Sequence, residues 1–149
     1  MTAFISYSHV DAKLKNDILK HLAPLKRLKL IDDWHDQEIK AGDEWEAAIL
    51  TKVAKADLVL LLISSDFIAS EYCYTKELIK ALERHDAKKA VVIPVILRHC
   101  LWEELPFGKI QALPTGAKPV TSWDNQDEAL KTVAQGVRES AQEIRRSRS

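Results

Sequence analysis

The reading of this chain turns on LVLLLI, Leu58 to Ile63, and on the stretch that follows it, SSDFIASEYCYTKELIKAL, Ser64 to Leu82. Six apolar residues in a row, bounded by a polar turn and without alternation, suit a β-strand buried on both faces. Beyond the turn, Ile68, Tyr72, Leu78, Ile79 and Leu82 recur at roughly the spacing of one helical face. The predicted unit is a strand, a polar loop and a helix over Tyr72 to His85, entered through Ser70 as its cap. In parallel α/β sheets ligands gather at the carboxyl ends of the strands, which is where this loop lies.

Outward from that unit the same alternation repeats. AFISY, Ala3 to Tyr7, is a short β-type run close to the first residue, which suggests that the domain begins there. A helix is expected from about Val10 to Leu28, with Leu14, Ile18, Leu22 and Leu25 on one face. Pro24 inside it predicts a kink or an early stop. LKLIDDW, Leu28 to Trp34, reads as a second strand, and His35 to Gly42 as a polar loop longer than a tight turn needs. Asp43 is placed to cap a helix over Glu44 to Lys55, with Trp45, Ile49 and Val53 inward.

AVVIPVIL, Ala90 to Leu97, gives a fourth apolar strand. Pro94 in its middle cannot donate to a ladder, so a bulge or an edge position is required. Lys118 to Thr121 reads as a brief fifth strand. A last helix starts at Asn125 or Asp127 and ends near Arg145, with Leu130, Val133, Val137 and Ile144 inward. Strand and helix alternate throughout, which predicts an α/β three-layer sandwich: a five-stranded parallel sheet, helices on both faces and right-handed crossovers. The flavodoxin-like order, second-first-third-fourth-fifth, fits five strands best.

Composition narrows the class. The chain has 149 residues, 46% of them hydrophobic and 30% charged, which suits one ordinary globular domain. Lys plus Arg and Asp plus Glu number 22 each, so nothing marks a coat for nucleic acid or for an anionic membrane. Arg145, Arg146 and Arg148 form a basic patch that reads as a solvated tail. No apolar run reaches the ~20 residues of a membrane span, and MTAFISYS does not open a signal peptide. Cys73 and Cys100 make neither a disulfide framework nor a metal pattern, so both are expected as buried thiols in a reducing cytoplasm. His9, His21, His35, His85 and His99 show no metal spacing, and Asp32, Asp33 and Asp36 find no second ligand cluster. No metal site is expected. There is no Gly-rich phosphate loop.

Three separated boxes stand in order: FISYSH at the amino end; W-x-D-x-x-I-x-x-G-x-x-W at Trp34, Asp36, Ile39, Gly42 and Trp45; and ADLVLLLISSDFIASEYC followed by KEL. Together these make the chain resemble a Toll/interleukin-1 receptor (TIR) domain of the bacterial kind over nearly its whole length. On that resemblance residues 1–145 form the domain and 146–149 a polar basic tail or linker remnant. Two functions are implied. One is NAD+ cleavage at the nicotinamide–ribose bond, giving nicotinamide with ADP-ribose or a cyclic ADP-ribose, in an effector of antiviral defence switched on by assembly. The other is a non-catalytic scaffold that contacts neighbouring TIR domains through the His35–Gly42 loop. NAD+ enters as substrate and no cofactor is implied. A sensing domain or protein outside the sequence is the further partner expected.

The family's enzymes carry a Glu in the helix after the third strand, and the matching position here is Glu77. One carboxylate is chemically sufficient. Nicotinamide in NAD+ is already a pyridinium and departs neutral, so it needs no general acid, which is half of the carboxylate pair of ordinary glycosidases. What remains is a ribosyl cation-like transition state that one carboxylate stabilises and orients. Without the resemblance, Glu77 reads as a surface residue paired with Lys76, Lys80 or His85.

The resemblance also draws Tyr7, Ser8 and His9 into the nucleotide pocket. Some family enzymes have basic residues where Ser8 and His9 stand, and Tyr7 reads nearly as well as plain core. Trp45 is placed to stack on a base or on nicotinamide; an inward helical Trp equally serves packing. Family enzymes often carry an aromatic one turn before the Glu. Cys73 occupies that position, between Tyr72 and Tyr74, so the pocket-lining tyrosine is open. Asp36 and Asp43 read as turn and cap residues. A phosphoacceptor receiver shares the strand order, but Ser6, Tyr7 and Ser8 end the first strand where it needs an acid pair for Mg²⁺.

Overall fold

The computed structural model describes residues 1–39, 53–70 and 76–148, with backbone alone at 35–39 and 76–77. Among the described residues four parallel strands form the sheet: β1 (Thr2–Ser8), β2 (Asp33–Ile39), β3 (Leu58–Ile63) and β4 (Val91–Ile96), in the order β2-β1-β3-β4. Ala3 stands opposite Leu58, and Leu58 opposite Val91, so the apolar strands lie side by side. All six residues of β3 are fully buried, as its unbroken apolar run requires.

Alternation along β1 divides the core into two layers. Ala3, Ile5 and Tyr7 face α1 (Ala12–Arg27) and α4 (Gln126–Ser147), where Ile18, Leu22, Leu130 and Val133 meet them. Phe4 faces the opposite layer, with Val53, Phe67, Leu78 and Ala81. That layer holds α2 (Ser65–Ala69) and α3 (Lys76–Asp86). The flavodoxin-like arrangement is thus present: helices on both faces of a parallel sheet, with β1 and β3 central.

The fifth strand is a correction. Lys118 to Thr121 does not pair as a strand; 3-10 turns at Thr115–Ala117 and Val120–Ser122 occupy the region. Pro114 and Pro119 lack N–H donors and Gly116 sits at φ 70°, so no run of donors remains to build a ladder. Contact with β4 is reduced to one parallel bridge, Val95 to Leu113. There the Leu113 N–H donates to the Pro94 carbonyl at 2.9 Å and the Ile96 N–H to the Leu113 carbonyl at 2.8 Å. Pro94 therefore turns its missing donor away from β3, toward the edge, and the conflict within the strand disappears. The neighbouring outward N–H, that of Val92, is closed by His85 Nδ1 at 3.0 Å.

The second strand begins later than its apolar residues suggest. Lys29 adopts φ 59° and closes α1, with the Leu30 N–H returning to the Leu25 carbonyl at 3.0 Å. Leu30 and Ile31 are buried as the plug under that turn, and the strand is the polar DWHDQEI that follows. It pairs with β1 alone among the described residues, and a polar sequence suits such an edge. Residues 35–39, read as loop, therefore belong to β2. Pro24 does not stop α1, which runs on to Arg27.

The polar turn after β3 is itself helical. Ser64 caps α2, its Oγ accepting from the Phe67 N–H at 3.2 Å. Ser70 closes α2, and its Oγ donates to the Phe67 carbonyl; the expected cap at Ser70 for the next helix would act on residues outside the described ones. In α3, Leu78 and Ala81 face the core, whereas Ile79 is half exposed. Asn125 caps α4 through the Glu128 N–H. That helix reaches Ser147, and Arg148 beyond it pairs with Asp57 at 2.7 Å. Residues 53–55 are helical; the Asp43 cap, Trp45 and Ile49 lie outside the described residues.

Candidate active site

Because the strands are parallel, their carboxyl ends collect at one edge of the sheet. Ser8 ends β1 there, Ser64 follows β3, and Leu97 and Arg98 follow β4. A 3-10 turn, His9–Asp11, carries the chain from β1 into α1, with the Ser8 Oγ accepting from the Val10 N–H at 3.4 Å. Topology fixes the near end of α3. Its far end, Asp86, leads into the start of β4 at the opposite edge, so the first turn, with Glu77, belongs to the carboxyl edge.

The site residues read from sequence separate accordingly. Tyr7 lies in the layer under α1, with Lys15 Nζ 4.8 Å from its ring centre, and does not face the α3 layer. Ser8 is buried and serves the turn; His9 is exposed at the same edge. The backbone of Glu77 is at that edge, and its carboxylate lies outside the described residues, as do Trp45, Tyr72 and Cys73.

The edge is held by a cluster that the sequence reading passed over. Asp11 is 3% exposed and binds three ways. Its Oδ2 accepts from Ser64 Oγ at 2.5 Å, while Oδ1 accepts from Arg98 Nε at 3.0 Å and Nη2 at 2.9 Å. The same Nη2 donates to Asp66 Oδ2 at 2.8 Å. Each ion thus has its counter-ion and its hydrogen bonds, the condition for burying charge. The hydrogen bond to Asp66, with Asp11 adding, holds the Arg98 guanidinium even more firmly charged than usual against the opposing effect of burial. Asp11 and Arg98 stand far apart in the chain, so no spacing marks them. The available signal was position: each follows the carboxyl end of a strand of the sheet.

These groups are mutually satisfied, so the cluster is a frame and not a reacting acid or base. Among the described residues no group of His, Cys, Asp and Glu is arranged to hold a metal. Cys100 is half-buried, and burial pushes its thiol up, which disfavours the thiolate. His21 pairs with Asp127 at 3.1 Å and His99 with Ser122 at 2.6 Å, while His85 closes the sheet edge. Cavities of about 470 and 580 Å³ follow the open side of β4 near Ile110 and Gly136, and others of about 340 and 800 Å³ lie beside Pro24 and beside Ile144; none of these four includes the carboxyl-edge cluster. No described helix is long and apolar enough to cross a membrane.

A parallel α/β sandwich with its polar cluster at the carboxyl edge of the sheet defines the class of protein. The sequence model of the TIR domain matches residues 3–135, and the chain belongs to that family. The protein y4lF of Sinorhizobium fredii is 47% identical over 148 residues, 99% of this chain and 46% of that protein. The disease resistance-like protein DSC1 of Arabidopsis thaliana is 26% identical over 95 residues, 64% of this chain and 8% of that protein. The chain therefore spans less than half the length of the curated relatives it matches. The TIR domains in a solved structure of the activated Roq1 resistosome, which recognises the effector XopQ, are 22% identical, with a TM-score of 0.47 over 66% of this chain and 58% of theirs.

Proposed function

We propose that this TIR domain cleaves NAD+ at the nicotinamide–ribose bond, with Glu77 as the catalytic carboxylate. The observation that carries the reading is the placement of the first turn of α3, in a TIR-family chain, at the carboxyl edge of the sheet. In the reaction the C–N bond breaks and its electron pair goes to the pyridinium nitrogen, so nicotinamide departs neutral. Positive charge develops on the ribose, and the Glu77 carboxylate stabilises it. Water then adds to the ribose carbon and loses a proton to solvent, giving ADP-ribose; an internal nucleophile in place of water gives a cyclic product.

Ser8 and His9 are proposed as polar neighbours of the nucleotide, and Trp45 with Tyr72 and Cys73 as pocket walls. The placement of Tyr7 under α1 favours a core role for that side chain. Activity is proposed to depend on self-association, and control to come from a sensing domain or protein outside this chain. An effector acting on NAD+ in this way works in the cytoplasm, in defence signalling.

Concentrated protein incubated with NAD+ should release nicotinamide, and Glu77→Ala should lower that rate by about a hundredfold or more. Release by Glu77→Ala at the wild-type rate would remove Glu77 from the chemistry. No release by wild type, even when crowded, would leave the scaffold reading.

A further inference from the structure

We propose that Asp11, Arg98 and Asp66 form a positioning clamp, which fixes α2 at the carboxyl edge, the edge to which the first turn of α3, with Glu77, also belongs. What is positioned rests on the NAD-cleaving reading; the clamp rests on contacts.

Helix α2 is too short to hold itself, since one turn fixes more torsions than its hydrogen bonds repay. It is held from outside at three points. Phe67 is buried against the Phe107 ring, with centroids 6.5 Å apart and planes at 70°. The cap is fixed through Asp11, because Ser64 Oγ donates to that carboxylate while accepting the Phe67 N–H. Asp66, in the first turn, is gripped by Arg98. The guanidinium fork is planar, so gripping Asp11 with Nε and Nη2 fixes the direction in which Nη2 meets Asp66. The turn after β1, the helix after β3 and the segment after β4 are thereby locked to one another.

Charge separates positioning from substrate binding. Two carboxylates face one guanidinium, so the cluster is net negative and repels a diphosphate. Loss of the clamp should therefore lower kcat and leave KM for NAD+ nearly unchanged. Misplacement of a reacting group by about an ångström costs on the order of a hundredfold in rate.

The test uses the full chain with Arg98→Lys, which keeps the charge and loses the fork, and Asp66→Asn, a change at a half-exposed position. Nicotinamide release is measured across NAD+ concentration, and amide exchange is followed at Phe67, Ile68 and Ser70, with β3 amides as the control for intact fold. In both variants kcat should fall about tenfold to a hundredfold with KM within about twofold. Exchange across α2 should speed by about tenfold while β3 is unchanged. Wild-type values in both variants would overturn the clamp, and so would a raised KM with kcat kept, which would make Arg98 a substrate contact. Wild type that releases no nicotinamide sinks the NAD+ reading alone; the clamp is then decided by exchange, surviving if α2 loosens and falling if it does not.

Discussion

Arg98 meets the buried Asp11 carboxylate with two nitrogens, and one of them also reaches Asp66. A half-exposed cation and a buried anion tolerate such burial only because each is the other's solvation. Cys100 shows the opposite outcome. Burial is the largest influence on it, the nearby Glu103 adds to the upward shift, and Arg98 opposes. With the folded value raised, the neutral thiol's contribution to stability is complete below the ordinary thiol value and is lost as pH rises through the folded one. In a Cys73→Ser background, maleimide should label Cys100 at pH 7 more slowly than a free cysteine, with the rate climbing at higher pH than for a free cysteine. Labelling as fast as free cysteine at pH 7 would contradict the direction of that shift.

At the scale of elements, two chain closures decide what the sheet can be. Lys29 in the left-handed region ends α1 and lets Leu30 and Ile31 drop into the core, which postpones β2. Pro114 and Pro119 withhold donors a fifth strand needs, and Gly116 at φ 70° turns the chain out of extended geometry. Between β4 and that region, Gly108 packs onto the preceding turn so closely that an added Cβ would lie 2.0 Å from the Glu103 carbonyl oxygen. Backbone cannot yield there as a flexible side chain would. Gly108→Ala should therefore cost about 1–3 kcal/mol, read from urea unfolding. A cost below about half a kilocalorie would mean that the 102–108 turn rearranges freely.

For the molecule as a whole, β3 carries both core layers, with Leu60 and Leu62 in one and Val59, Leu61 and Ile63 in the other. Leu61→Ala removes a fully buried side chain from the layer that also holds Phe67 and Leu78, the layer of α3. The expected loss is about 2–5 kcal/mol in equilibrium denaturation. A loss under half a kilocalorie would show that this strand is not central.

The sequence by itself determined the parallel α/β class, the central place of Leu58–Ile63, the choice of bulge or edge at Pro94, the choice of Asn125 or Asp127 as the last helix start, and the family. Each of these rests on local information: hydrophobic period, a missing donor, a capping side chain, or a contiguous box. Only the tertiary structure decided that the sheet has four described strands, that Ser64 caps a short helix, and that Tyr7 faces α1. It alone joined Asp11, Ser64, Asp66 and Arg98 at one edge. The physical reason is the same in each case. Hydrogen-bond partners and the counter-ion of a buried charge come from distant parts of the chain, and a linear sequence records neither their distance nor the direction in which a side chain meets them.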